Sequence, residues 1–127
     1  MCRVLLVDDN EGIRVALGIA LTRRGHQVDL AAGPIQALSK LAHGSYDWAV
    51  LDERMPRMTG TQLAAEIQRL RLSTRVVLMS SYEPPDGAQL AGNGVSQFLE
   101  KPFEIDELCS ILAERTADSH GYEVAHS

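Results

Sequence analysis

Cysteine is scarce in this chain. Only Cys2 and Cys109 occur in 127 residues, in no CxxC and at no metal-ligand spacing. That excludes a disulfide framework and a thiolate metal site, and leaves two reduced structural thiols. Basic excess is also missing. Twelve Lys and Arg face 17 Asp and Glu, a net charge of −5. Nucleic acids and anionic membrane surfaces select for the opposite balance, so neither is expected as a direct partner. Long apolar runs are absent. The longest stretch without a polar side chain, residues 15–21, is far too short to span a bilayer. The first apolar run stops at Asp8-Asp9, which does not fit a signal peptide. No GxxxxGK[ST] loop occurs, and Gly92-Asn93-Gly94 has Gln97 where a dinucleotide fingerprint needs its third glycine. There is no internal repeat and no low-complexity segment. The expectation is one soluble, cytoplasmic domain. At this length it buries roughly two thirds of its unfolded surface, enough for a core without staples.

Three short apolar runs stand out: Val4-Leu5-Leu6-Val7, Trp48-Ala49-Val50-Leu51 and Val76-Val77-Leu78-Met79. Each is rich in strand formers and too short for a helix. Their apolarity is continuous rather than alternating, which predicts strands buried on both faces of a parallel sheet. Weaker strands are expected at 28–31 and around Phe98-Leu99. Helices fill the gaps. Residues 11–24 place Ile13, Leu17, Ala20 and Leu21 on one stripe, with Asn10 as N-cap and Gly25 as terminator. Pro34 suits a first helical turn, with Leu38, Leu41 and Ala42 continuing that stripe. Thr59 caps a third helix carrying Leu63, Ile67 and Leu70, and a last one over about 104–117 carries Leu108, Ile111 and Leu112. Pro84, Pro85, Gly87, Gly92 and Gly94 crowd 83–94, so a fourth helix there is short or irregular. Strands alternating with helices define an α/β, doubly wound parallel sheet of five strands.

Open parallel sheets bind ligands at the carboxyl ends of their strands. Asp8 and Asp9 follow the first strand, Asp52 the third, Ser80 and Ser81 the fourth, and Lys101-Pro102 the fifth. Taken singly, each has a plain reading: helix cap, loop acid, turn lysine. Together they put three carboxylates, a hydroxyl and an ammonium on one edge. Asp8 and Asp9 close the first strand and Asp52 the third, so the three carboxylates share that edge. Such a cluster raises a pKa or demands a cation. Mg²⁺, with its preference for one or two carboxylates, water and phosphate, is the natural candidate. With Mg²⁺ and Lys101 neutralising a phosphoryl group and Ser80 donating to it, Asp52 is a competent nucleophile, forming an acyl phosphate.

The phrases Val4-Leu5-Leu6-Val7-Asp8-Asp9-Asn10, Leu51-Asp52-Glu53-Arg54-Met55-Pro56-Arg57-Met58-Thr59-Gly60, Leu78-Met79-Ser80-Ser81 and Phe98-Leu99-Glu100-Lys101-Pro102-Phe103 carry a specific resemblance. Over residues 3 to about 117 the chain resembles the receiver domain of two-component response regulators. The resemblance implies a flavodoxin-like fold with the order 2-1-3-4-5. It implies Asp52 as phosphoacceptor and Asp9, Asp52 and the Arg54 backbone carbonyl as direct Mg²⁺ ligands, with Asp8 acting through water. Lys101 resembles the phosphoryl-pairing lysine, Ser80 and Phe98 the two switch positions, and Pro102 the residue after a cis peptide. Arg54 and Tyr82 stand where the family tunes phosphate lifetime, and their bulk is expected to slow autodephosphorylation. Partners implied are a histidine kinase or phosphotransfer protein and a downstream effector or fused output domain. The family's face of helix 4, strand 5 and helix 5 also allows a phosphorylation-dependent homodimer.

Ser81 departs from the family's usual alanine, and Thr59 from a frequent aspartate. The shortened 83–94 stretch departs most. The domain is read as 1–117, with 118–127 a flexible tail or the start of a linker. On this reading the protein is a signalling switch, not an enzyme beyond its own phosphorylation and autodephosphorylation. Two alternatives are a phosphate-independent pseudo-receiver and an aspartyl-phosphate hydrolase. The hydrolase wants a second acid two residues after the nucleophile, where this chain has Arg54.

Overall fold

The computed structural model describes residues 2–81 and 87–114. Ten elements alternate along it: β1 Arg3–Val7, α1 Glu11–Arg23, β2 Gln27–Ala31, α2 Pro34–His43, β3 Trp48–Asp52, α3 Gly60–Arg69, β4 Arg75–Ser80, α4 Gly87–Gly92, β5 Gln97–Glu100 and α5 Ile105–Leu112. The strands form one parallel sheet in the order β2-β1-β3-β4-β5. This is the doubly wound, flavodoxin-like arrangement expected, with a short fourth helix of six residues. Residues 83–86 of the Pro/Gly-rich stretch, 115–117 and the 118–127 tail lie outside the described residues; the last helix, expected over about 104–117, ends at Leu112 with Ala113 as its C-cap.

The continuous apolar runs are central because both faces of the sheet are covered. Leu5 and Val7 point into a core with Ala37, Leu41, Leu63 and Ile67 from α2 and α3. Val4 and Leu6 alternate to the opposite face, against Leu21 from α1 and Leu108 and Leu112 from α5. Every residue of β3 is buried, as befits the middle strand. Burying a Leu or Val side chain contributes about 1.5–3 kcal/mol, so these two layers dominate stability.

The caps fall where the sequence puts them. Asn10 accepts the Ile13 amide at 3.0 Å. Thr59 and Gln62 form a reciprocal capping box on α3. Gly25 leaves α1 at φ 95°, a conformation that glycine adopts freely.

The stripes differ in detail. On α2, Pro34, Ala37 and Leu41 are buried and Ala42 is exposed. On α3, Leu70 is the C-cap and is exposed. The largest shift is on α1. Its buried residues are Gly18 and Leu21, while Ile13, Val15 and Ile19 are 42%, 42% and 49% exposed. The cause is Gly18. A Cβ there would come within 3.0 Å of Leu30 Cδ2, so the bare glycine faces β2 and sets the helix rotation. The sheet-facing line then runs through Arg14, Gly18 and Leu21; of the expected stripe Ile13, Leu17, Ala20 and Leu21, Leu21 is buried and Leu17 packs against the core, while Ile13 turns out to solvent.

Candidate functional site

Register aligns the carboxyl ends of the strands. Val7 pairs with Leu51, which brings Asp8 level with Asp52, the last residue of β3. Asp52 faces Met79, and Ser80 faces Glu100 one residue before Lys101. The Lys101 amide donates to the Ser80 carbonyl at 2.8 Å, and the Lys101–Pro102 peptide is cis. The four strand ends therefore meet at one edge.

Three carboxylates converge there. Asp8, Asp9 and Asp52 each offer an oxygen within 4.8 Å of the others. Lys101 Nζ lies 2.9 Å from Asp52 Oδ1 and 3.9 Å from Asp8 Oδ2. Asp8 and Asp52 are buried, at 1% and 6% exposure, whereas Asp9 is exposed. Asp8 is fixed on several sides. Its amide donates to the Ala31 carbonyl at 3.2 Å, and its Oδ1 accepts the Asn10 amide at 2.9 Å. Its Oδ2 is buried with no hydrogen-bond partner among the described residues. Burial raises the Asp8 pKa above its ordinary value; the Asn10 amide opposes this and the Asp52 charge adds to it. One ammonium thus faces three carboxylates, and a buried acceptor is left over.

The acid next to Asp52 has a different job. Glu53 Oε1 accepts from the Thr61 amide and hydroxyl, both at 2.8 Å, and so holds the start of α3. Gly60 lets that helix approach. A Cβ on Gly60 would lie 2.6 Å from the Asp52 carbonyl oxygen and 2.7 Å from Leu78 Cδ1. No motif spacing marks Gly60 as a contact residue. The readable signal was a glycine directly after an N-cap, where helix propensity disfavours it.

The remaining sequence candidates are placed as follows. Ser80 is buried at the end of β4. Phe98 stands opposite Leu78 on β5, half-buried against the core on the α2–α3 side. Arg54 is exposed in the loop after β3. Tyr82 lies outside the described residues. Beside Lys101 opens an apolar groove of about 670 Å³, lined by Ile13, Leu17, Ala20, Ser81, Phe103 and Ile105 among others. Ile13 belongs to this groove rather than to the core.

Comparison with known proteins agrees with this geometry. The model of the response regulator receiver domain matches residues 4–113. The chain belongs to that family. The transcriptional regulatory protein TcrA of Mycobacterium tuberculosis is 34% identical over 112 residues, which cover 87% of this chain and 44% of TcrA. Sporulation initiation phosphotransferase F of Bacillus subtilis is 32% identical over 107 residues, covering 84% of this chain and 86% of that protein. Among solved structures, the Thermotoga maritima response regulator TrrA in complex with Mg²⁺-BeF superposes with a TM-score of 0.79 at 30% identity, covering 88% of this chain and 96% of that one. The chain spans less than half the length of TcrA, and only 26% of the regulator GlrR of Escherichia coli. Among the described residues no helix is long and apolar enough to cross a membrane.

Proposed function

We propose that this domain is the phosphoacceptor switch of a two-component phosphorelay, with Asp52 as the acceptor. One observation carries the proposal. Three carboxylates gather within 4.8 Å of one another, Lys101 meets two of them, and the most buried keeps an oxygen without a hydrogen-bond partner among the described residues. Such an edge is costly unless a cation completes it.

The donor set fits Mg²⁺: hard oxygens, two of them on buried acids, at the mouth of a sheet. Asp9, Asp52 and the Arg54 carbonyl would hold it directly and Asp8 through water, and the bound ion would neutralise phosphoryl oxygens. The cation in the TrrA complex supports the same choice. The chain's own residues do the rest. An Asp52 oxygen forms a bond to phosphorus while the bond from phosphorus to the donor breaks, giving an acyl phosphate and a free donor. Lys101, already 2.9 Å from Asp52, pairs with the added charge. The new group brings about −1.5 to −2 charge and strong acceptors. Ser80 moves to donate to it, and Phe98 turns inward into the space released. That contact, better in the phosphorylated state, biases the population of conformers. Arg54 and Tyr82 occupy the sequence positions at which the family tunes phosphate lifetime, and their bulk lengthens it.

The donor is a histidine kinase or phosphotransfer protein, and output passes to an effector or a fused output domain. Residues 1–117 form the receiver unit and 118–127 a tail or linker start. The setting is the cytoplasm.

Acetyl phosphate with Mg²⁺, read by intact mass, tests the assignment. The wild type gains one labile phosphoryl group, and loses that gain in EDTA. Asp52→Asn gains none. No gain on the wild type, or an undiminished gain on Asp52→Asn, rejects it.

A further inference from the structure

Arg14 sits where a charged residue is not expected. It lies on the line of α1 that faces the sheet, one turn before Gly18 and two before Leu21. A half-buried guanidinium at such a position needs acceptors. It has one: Arg14 Nη1 donates to the backbone carbonyl of Asp8 at 2.8 Å. That carbonyl belongs to the peptide joining Asp8 to Asp9. The near side of Asp8 is tied to β2 through its amide, and its Oδ1 to Asn10. Arg14 supplies the tie on the far side.

Asp9 has no such support. Its carboxylate is exposed and joins no hydrogen bond or ion pair among the described residues, yet it is one of the three that converge. Its place is therefore set by the backbone that carries it. We propose that Arg14 is a positioning residue for cation binding: its guanidinium fixes the Asp8–Asp9 peptide and so presents the Asp9 carboxylate to Mg²⁺. The inference rests on the cation site proposed above and adds a residue that touches neither cation nor phosphate.

Charge and geometry make opposite predictions here. Removing a positive charge beside three carboxylates would tighten cation binding. Removing the tie loosens it, by about tenfold if Arg14 behaves as outer-shell partners of metal ligands do. Calorimetric titration of Mg²⁺ into the metal-free chain separates the two, with the melting midpoint in EDTA as control. Arg14→Met keeps the packing of the stem and is expected to bind about tenfold more weakly, with the midpoint little changed. Arg14→Gln takes its place should the Met variant fail to fold. Arg14→Lys keeps a donor of similar reach and is expected to bind more tightly than the neutral variant. Unchanged or tighter binding in the neutral variant overturns the proposal, as does equal affinity of the lysine and neutral variants. Failure of the wild type to bind Mg²⁺ overturns the cation site itself, a result distinct from equal binding by wild type and variants.

Discussion

At the amino-terminal side of the sheet, charged side chains meet opposite charges or aromatic rings, although the buried Arg75 Nε finds no hydrogen-bond acceptor among the described residues. Tyr46 donates to Asp29 at 2.6 Å while Arg3 lies 5.0 Å from the centre of its ring, and burial with the Asp29 hydrogen bond pushes the Tyr46 pKa up to about 12. Arg75 stacks 4.5 Å from the Trp48 ring and reaches Glu114 at 3.9 Å. Asp47 accepts the Arg3 amide on its side chain and the Arg75 amide on its carbonyl, which joins β1 to β4 across β3. At the carboxyl side, Asp8 and Asp52 share Lys101, Asp9 lies beside them, and Asp8 Oδ2 has no hydrogen-bond partner among the described residues. The same sheet thus has one end finished by opposite-charge and ring partners and one end where negative charge is in excess. A buried edge with unbalanced charge marks a place suited to a cation.

Substitutions at the two ends should therefore have different consequences. The largest effect is expected from Gly60→Ala. Its Cβ would meet the Asp52 carbonyl oxygen at 2.6 Å, a backbone atom that cannot swing aside. The start of α3 must withdraw from β3. We expect a loss of about 3 kcal/mol in urea unfolding, together with slower acetyl-phosphate labelling. A fully stable, normally labelled variant would show that α3 does not support Asp52.

Arg75→Met breaks the finished end. The side chain is only 10% exposed, and its stacking on Trp48 with the Glu114 pair is lost. About 1 kcal/mol of stability is expected to go, with labelling unchanged. Reduced labelling at unchanged stability would mean that the two ends are not separate in function.

Much of this was legible in the sequence because the strands are central. Runs such as Val4-Leu5-Leu6-Val7 read as strands buried on both faces, and the residues closing them, Asp8, Asp52, Ser80 and Lys101, read as one edge. The caps Asn10 and Thr59 were equally plain, since a side-chain acceptor before a helix has a local physical reason. Helix rotation was not legible. The stripe of Ile13, Leu17, Ala20 and Leu21 satisfies helical periodicity as well as the observed line through 14, 18 and 21. What decides between them is the contact of Gly18 with Leu30, which is tertiary. The same contact turns Arg14 toward Asp8, so Arg14 could not be found before the packing was known. Gly60 was hidden likewise: its close approach is to the backbone of a different element.

Asp8 gives the sharpest test of the contrast between the two ends. Its pKa is raised by burial, so the folded state binds its proton more tightly than the unfolded chain does. The stability from this group is fully present below its ordinary value of 3.8 and is lost as pH rises through the higher folded value. At neutral pH the charged Asp8 therefore weakens the metal-free fold. Asp8→Asn removes that penalty. In EDTA at neutral pH it should melt a few degrees above wild type, the shift that roughly 1 kcal/mol produces in a domain of this size. The gap should close as pH falls through the raised folded value, where the wild type takes up its proton. Saturating Mg²⁺ should raise the wild-type midpoint and raise that of Asp8→Asn much less. Melting curves of both proteins, with EDTA and with Mg²⁺, decide the matter. A variant that melts below wild type in EDTA, or that gains as much from Mg²⁺ as wild type does, would contradict the claim that this edge gives up stability to hold a cation.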